Sequence, residues 1–412
     1  MRFQRGKKVL ALALAVCLMP GCTAGMPGTG AAPTAAPSAS AAAAPTAAPS
    51  PVQAADPIGI RMAGMTLREK VGQLFLIRPD ALDPALPLEE INDDKAAGSR
   101  ALSRSMRERL ADYPVGGIAM FGKNIADPGQ LTTFIADLQS ASGVPLLMAV
   151  DEEGGRVARL ANHPAFLVPQ VGSMDDVAAT GIPENARRAG KTIGGYLAEY
   201  GFNLDFAPVA DVNTNPDNTV IGSRAFGSDP VLAGRMVAAE VAGLHEAGIM
   251  SCLKHFPGHG DTDDDTHDGS ALSDKTWQEM LSCEMIPFQA GIGAGTDLVM
   301  VAHIAVPNAA SDGLPASLSQ EIITHRLRGE LGFDGVVITD SLAMGAITQS
   351  YSAADAAVLS LQAGADLLLM PNGLPEAFDG VMDAVENGGL DEARIDESVR
   401  RVLTLKQAYG LL

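Results

Sequence analysis

Eight short apolar, β-branched runs recur along this 412-residue chain, at 71–77, 115–121, 145–150, 202–208, 248–255, 297–302, 335–339 and 365–370. Runs of this length and character read as strands buried on both faces. Amphipathic, helix-like stretches alternate with them at 128–140, 184–200, 230–246, 274–294, 319–331 and 353–363, and a final pair at 374–387 and 391–409 closes the chain. Strand and helix alternating eight times predicts an α/β fold, a single (β/α)8 TIM barrel. A doubly wound open sheet gives the same alternation. The barrel is preferred because polar residues recur just after the strands, at Arg78, Asp151, Asp211, Lys254, His303 and Asp340. A barrel gathers all its strand ends on one face, around one pocket.

Composition narrows the partners. With 47% hydrophobic and 19% charged residues the chain is globular, with ample material for a large core. A formal charge of −20 excludes nucleic acid as the expected partner, since phosphate backbones demand clustered Lys and Arg. Four cysteines in so long a chain make no disulfide framework. Cys252 and Cys283 read as buried thiols, with a bond between them left open.

The N-terminus reads as an export signal followed by a tether. Arg2, Arg5, Lys7 and Lys8 precede an apolar stretch at 9–19 that is too short to span a bilayer comfortably. Met19-Pro20-Gly21-Cys22 then resembles a bacterial lipobox with Cys22 as the lipidated residue, although Met and Pro replace the usual Leu and Ala or Ser. Residues 23–56 are almost wholly Ala, Pro, Ser, Thr and Gly, which cannot bury a core and predicts a disordered linker. The expected organisation is therefore a signal peptide at 1–22, that linker, and one catalytic domain at 57–412. The protein is expected outside the cytoplasm, either secreted or held on the outer face of the cytoplasmic membrane by a lipid on Cys22.

Chemistry concentrates after the fifth run. Lys254-His255-Phe256-Pro257-Gly258-His259-Gly260-Asp261-Thr262 leads on to Asp265-Thr266-His267, so three of the chain's seven histidines share one loop. A His held by a carboxylate two residues away suits general acid/base work. The plainer reading of Asp265 and His267 is a turn with surface groups. The histidines with Asp261 fit no closed zinc spacing, and no metal is expected. Asp340, at the end of the seventh run, reads either as a helix N-cap for a segment beginning at Ser341 or as a carboxylate nucleophile in a central pocket. Asp151 opens Asp-Glu-Glu-Gly-Gly-Arg and is placed to accept hydrogen bonds from substrate hydroxyls, with a solvated acidic turn as the alternative. Arg224 divides in the same way between a substrate donor and a surface ion pair.

Together and in this order, these motifs resemble glycoside hydrolase family 3, and within it the single-domain β-N-acetylglucosaminidases of the bacterial NagZ type. The matching segments are Gly116-Gly117-Ile118-Ala119-Met120-Phe121, Asp151-Glu152-Glu153-Gly154-Gly155-Arg156, Ser223-Arg224-Ala225-Phe226-Gly227, Lys254 through Thr262, and Ile338-Thr339-Asp340-Ser341-Leu342-Ala343-Met344. The resemblance implies a retaining hydrolase without cofactor. Asp340 would be the nucleophile, His267 with Asp265 the acid/base dyad, and Asp151, Arg224, Lys254 and His255 the binders of the terminal sugar. The family's multi-domain β-glucosidases bring their acid/base from a domain after the barrel; here the dyad is expected to supply it. The implied substrate is a glycan or muropeptide ending in β-linked N-acetylglucosamine, and the implied state a monomer. A β-glucosidase, a phosphorylase of the same family and a non-catalytic sugar-binding lipoprotein stand as alternatives. The sequence departs from the pattern in reading Asp-Thr-His where Asp-Ser-His is commoner, Ser341 where many members carry Asp, and no Leu-Pro after His267.

Overall fold

The computed structural model describes residues 56–262 and 271–412. The predicted signal peptide with Cys22, the linker up to residue 55, and the pair Asp265 and His267 lie outside the described residues. The strands of the barrel, in chain order, are β1 (Phe75–Ile77), β2 (Gly117–Met120), β3 (Leu147–Val150), β4 (Leu204–Asp205), β5 (Met250–Phe256), β6 (Leu298–Val301), β7 (Val336–Thr339) and β8 (Leu368–Leu369). Each pairs in parallel with the next in one eight-stranded sheet. β1 also pairs with β8, and a bridge from Ile338 to Leu367 joins β7 to β8. The sheet closes on itself. This settles the choice between barrel and open sheet in favour of the barrel.

Period-two alternation fixes what fills the barrel and what faces the helices. Leu76, Ala119, Leu147, Ala149, Leu204, Met250, Cys252, Leu298, Met300, Val336, Ile338 and Leu369 pack in the interior. Their neighbours Ile77, Ile118, Met148, Val150, Leu253, Val299 and Val337 pack outward against the helices. One end of the barrel is plugged by the last helix, Glu392–Ala408. Its Val402 joins the interior cluster, and the buried Lys406 ammonium donates to Gln73 Oε1 at 2.8 Å and the Gly116 carbonyl at 2.9 Å. Tyr409 donates to Asp297 Oδ2 at 2.8 Å at the same end. The carboxyl ends of the strands, on the opposite face, carry the pocket.

The structure corrects some element boundaries. Val71 and Gly72, predicted in the first strand, belong to the helix Leu67–Gly72. Thr66 and Glu69 form a capping box there, which starts a helix more strongly than an apolar run starts a strand. The single helix predicted over 274–294 is two, Trp277–Leu281 and Met285–Gly293, the first opened by the capping box of Thr276 and Glu279. The segment predicted helical over 319–331 is wound as a π-helix, Glu321–Glu330. Cys252 and Cys283 are free thiols.

A buried acid outside the pocket lacks a partner for its carboxylate oxygens among the described residues. Glu240, on the inner side of the helix Pro230–Glu246, is 1% exposed, and neither carboxylate oxygen has a hydrogen-bond partner among the described residues. It is enclosed because the helix Pro183–Glu199 crosses closely at Gly190, where an added Cβ would lie 2.5 Å from the Glu240 carbonyl and 3.1 Å from its Cγ. Burial, and then the charge of Asp205, push its pKa well above the ordinary carboxylate value. The folded state therefore keeps a proton that the unfolded state releases, and stability falls as pH rises from the unfolded value through the folded one. Glu240→Met should raise stability at neutral pH by about 1–3 kcal/mol, the cost of an unsatisfied buried polar group. Thermal unfolding of both proteins across that range should show a flatter pH dependence in the variant; parallel curves would contradict it.

Candidate active site

The alternation that builds the barrel also aims the site. Arg78, Asp151, Lys254 and Asp340 each stand two residues beyond an interior side chain, respectively Leu76, Ala149, Cys252 and Ile338. All four therefore point inward at the open end. They line one pocket of about 420 Å³ together with Glu153, Arg159, Arg224, His255, His259 and the ring of Phe121. Strict alternation would turn His255 outward. The pairing of β5 with β6 shifts register between Leu253 and Phe256, and His255 lies inside that irregularity.

A charged cluster forms the wall at β3 and β5. Lys254 Nζ lies 2.7 Å from Asp151 Oδ1 and 2.6 Å from Glu153 Oε1. Arg224 grips Glu153 with a two-pronged contact, Nε and Nη2 each at 2.8 Å, so its ion pair is formed inside the pocket and not at the surface. Arg159 Nη2 lies 3.4 Å from Asp151 Oδ2. Burial alone would raise both acids. The Lys254 and Arg159 charges instead hold Asp151 well below the carboxylate range, and Arg224 with Lys254 pulls Glu153 down to about 2. Burial alone would lower the Lys254 ammonium, but the two carboxylates hold it above its usual value. This wall of the pocket thus holds two carboxylates and three cations, Lys254, Arg159 and Arg224, in one network.

Asp340 faces that wall, since β7 and β3 stand four strands apart in a ring of eight. The reading of Asp340 as a cap for a helix beginning at Ser341 is not met: the next helix is Gly345–Thr348, with Met344 at its N-cap. Asp340 Oδ1 instead accepts the Ser341 N–H at 2.7 Å. His303 supports the turn from behind. It is buried, with Nε2 2.8 Å from the Ser341 carbonyl and Nδ1 2.7 Å from Ser317 Oγ. The carbonyl only accepts, so Nε2 carries the proton there.

Two acids of the site escaped the sequence reading of its binders. Glu153 was only one acid of an acidic turn, and its pairing with Arg224 spans 71 positions. Asp211 was noted at a strand end without a task. It is 1% exposed, with Oδ2 2.7 Å from His255 Nδ1 and Oδ1 accepting the His259 N–H at 2.6 Å. Burial would raise Asp211, but His255 and His259 lower it. The inward phase of residue 153, two beyond Asp151, was the available signal for Glu153.

The model for the glycosyl hydrolase family 3 N-terminal domain matches residues 66–405. Beta-hexosaminidase A of Pseudoalteromonas piscicida is 33% identical over 341 residues, covering 76% of this chain and 56% of that protein, so this chain spans little more than half its length. Beta-hexosaminidase LpqI of Mycobacterium tuberculosis is 34% identical over 98% of both chains. A solved family 3 β-N-acetylglucosaminidase from a Paenibacillus species superposes with a TM-score of 0.76 at 38% identity, over 84% of this chain and 63% of that one.

Proposed function

This chain belongs to glycosyl hydrolase family 3, and from that premise we propose that it removes terminal β-linked N-acetylglucosamine with retention, through a covalent intermediate on Asp340. One observation carries the reading: Asp340 points into the same pocket as the Asp151, Glu153, Lys254 and Arg224 cluster, from the opposite side of the ring. A sugar whose hydroxyls are held by that cluster has its far side turned to a carboxylate. Attack by Asp340 on the anomeric carbon would form the carboxylate–sugar bond while the glycosidic oxygen leaves with a proton. Water would then break that ester and release the sugar in its original configuration.

The proton must come from an acid with a pKa near the working pH. Asp151 and Glu153 are held ionised by their cations and cannot serve. The resemblance to the family assigns this role to His267 with Asp265, which lie outside the described residues; imidazole titrates near neutral pH and can give a proton in the first step and take one in the second. The names of the relatives support the acetamido sugar over glucose. Cell-wall fragments are the proposed source of the substrate.

The test is release of nitrophenol from the β-N-acetylglucosaminide and the β-glucoside, in water and with added phosphate. The acetamido sugar should be preferred, and NMR of the first product should show the β-anomer. An α-anomer would refute the covalent intermediate. Acceleration by phosphate with a sugar phosphate as product would reassign the reaction to phosphorolysis, and silence from folded protein that still binds the sugar would leave a binding protein.

A further inference from the structure

Asp211 has no part in the steps above, yet its contacts decide what His255 presents to the pocket. Its carboxylate oxygens meet the His255 N–H, each at 3.2 Å, besides His255 Nδ1 at 2.7 Å and the His259 N–H at 2.6 Å. A carboxylate that accepts from several N–H groups offers no proton, so the proton on the 2.7 Å contact belongs to Nδ1. On the pocket side, His255 Nε2 lies 3.4 Å from Arg224 Nη2. A guanidinium only donates, so Nε2 must be bare. Both sides of the ring require the same tautomer.

We propose that Asp211 is a positioning residue: it fixes His255 in the Nδ1–H tautomer, so that the pocket offers a lone pair beside the Arg224 donors. This rests on reading the pocket as a sugar site. An acceptor and a donor 3.4 Å apart match a hydroxyl, which can donate to Nε2 and accept from Arg224 at once. An ether oxygen satisfies only the arginine, and an ammonium only the histidine. The pair therefore selects a free hydroxyl on the terminal sugar.

Asp211→Asn tests the assignment, because its amide can donate to Nδ1 and drive the ring proton to Nε2, where it would face the Arg224 donor. KM for the nitrophenyl N-acetylglucosaminide should rise by about tenfold or more, the worth of a hydrogen bond to a polar group, with kcat changed less. In a His255→Gln background, which has no tautomer to set, adding Asp211→Asn should change KM by less than about threefold. Additive effects in that cycle would mean that Asp211 merely holds the loop, and would overturn the proposal. Should Asp211→Asn fail to fold, nitrogen NMR of the wild-type rings decides. The His255 resonance, assigned by its loss in His255→Gln, must show a protonated Nδ1 and a bare Nε2. The opposite tautomer refutes the role of Asp211 whatever sugar the enzyme accepts, so this proposal and the functional one fail separately.

Discussion

Replacing Asp340 by alanine should lower turnover of the nitrophenyl N-acetylglucosaminide by three orders of magnitude or more, the scale on which loss of a nucleophile is felt. No described carboxylate can take its place. Asp151 and Glu153 lie across the ring and are held by Lys254, Arg159 and Arg224, so neither can swing to the anomeric carbon without breaking buried ion pairs. The fold should survive, because Asp340 is partly exposed and its turn is held from behind by His303 on the Ser341 carbonyl. Stability should change by less than about 1 kcal/mol. Azide added to the variant separates a lost nucleophile from a lost binding group. It would enter the vacated space from the same side as the missing carboxylate and form the α-glycosyl azide, restoring nitrophenol release. More than a tenth of wild-type activity in folded Asp340→Ala, or recovery without that azide product, would remove Asp340 from the role.

In the sequence this carboxylate could be read as a pocket group or as a helix N-cap, and the closed barrel decides between the two. Once eight strands are granted, the side chain two beyond an interior apolar residue must face the barrel's open end, and that rule alone aims Arg78, Asp151, Lys254 and Asp340 together. The rule failed where the backbone departs from period two, at the register shift that carries His255 into the pocket. It was also silent about partners. Asp211 meets His255 across 44 positions and Glu153 meets Arg224 across 71, and no local pattern encodes such pairs.

Helices hid a different kind of information. Glu240 reads as an ordinary polar position on an amphipathic stretch. It is buried because glycines on neighbouring helices permit a close crossing: at Gly243, an added Cβ would lie 2.1 Å from the Arg187 carbonyl. In the first predicted strand, apolar Val71 was read as part of the run that follows it. The capping residues Thr66 and Glu69, which stand before the run, determine its local structure instead. Single-residue chemistry at the strand ends was readable; the depth at which one element packs on another was not.

Lys254→Met should be the most destabilising change in the pocket, costing about 3–5 kcal/mol at neutral pH, the range found when one partner of a buried ion pair is removed. Methionine fills similar volume, so the loss would be electrostatic and not a cavity. The side chains of Lys254 and Glu153 are each 2% exposed, and without the ammonium two acids would share a buried site. Arg224 remains for Glu153 and Arg159 for Asp151, which argues for the lower end of the range. The pH dependence gives the decisive sign. In the wild type both acids have depressed folded pKa values, so their contribution is present above the unfolded values near 4 and is lost as pH falls through the folded ones. In the variant the folded values should rise, so the proteins should differ most at neutral pH and converge only as pH falls from the raised values of the variant through the depressed ones of the wild type. Denaturant midpoints at neutral and acid pH would measure this, and equal stability at neutral pH would disprove it. The same substitution should abolish sugar binding for the same reason. The carboxylates that would receive the sugar's hydroxyls stay ionised in a buried wall because Lys254 stands between them.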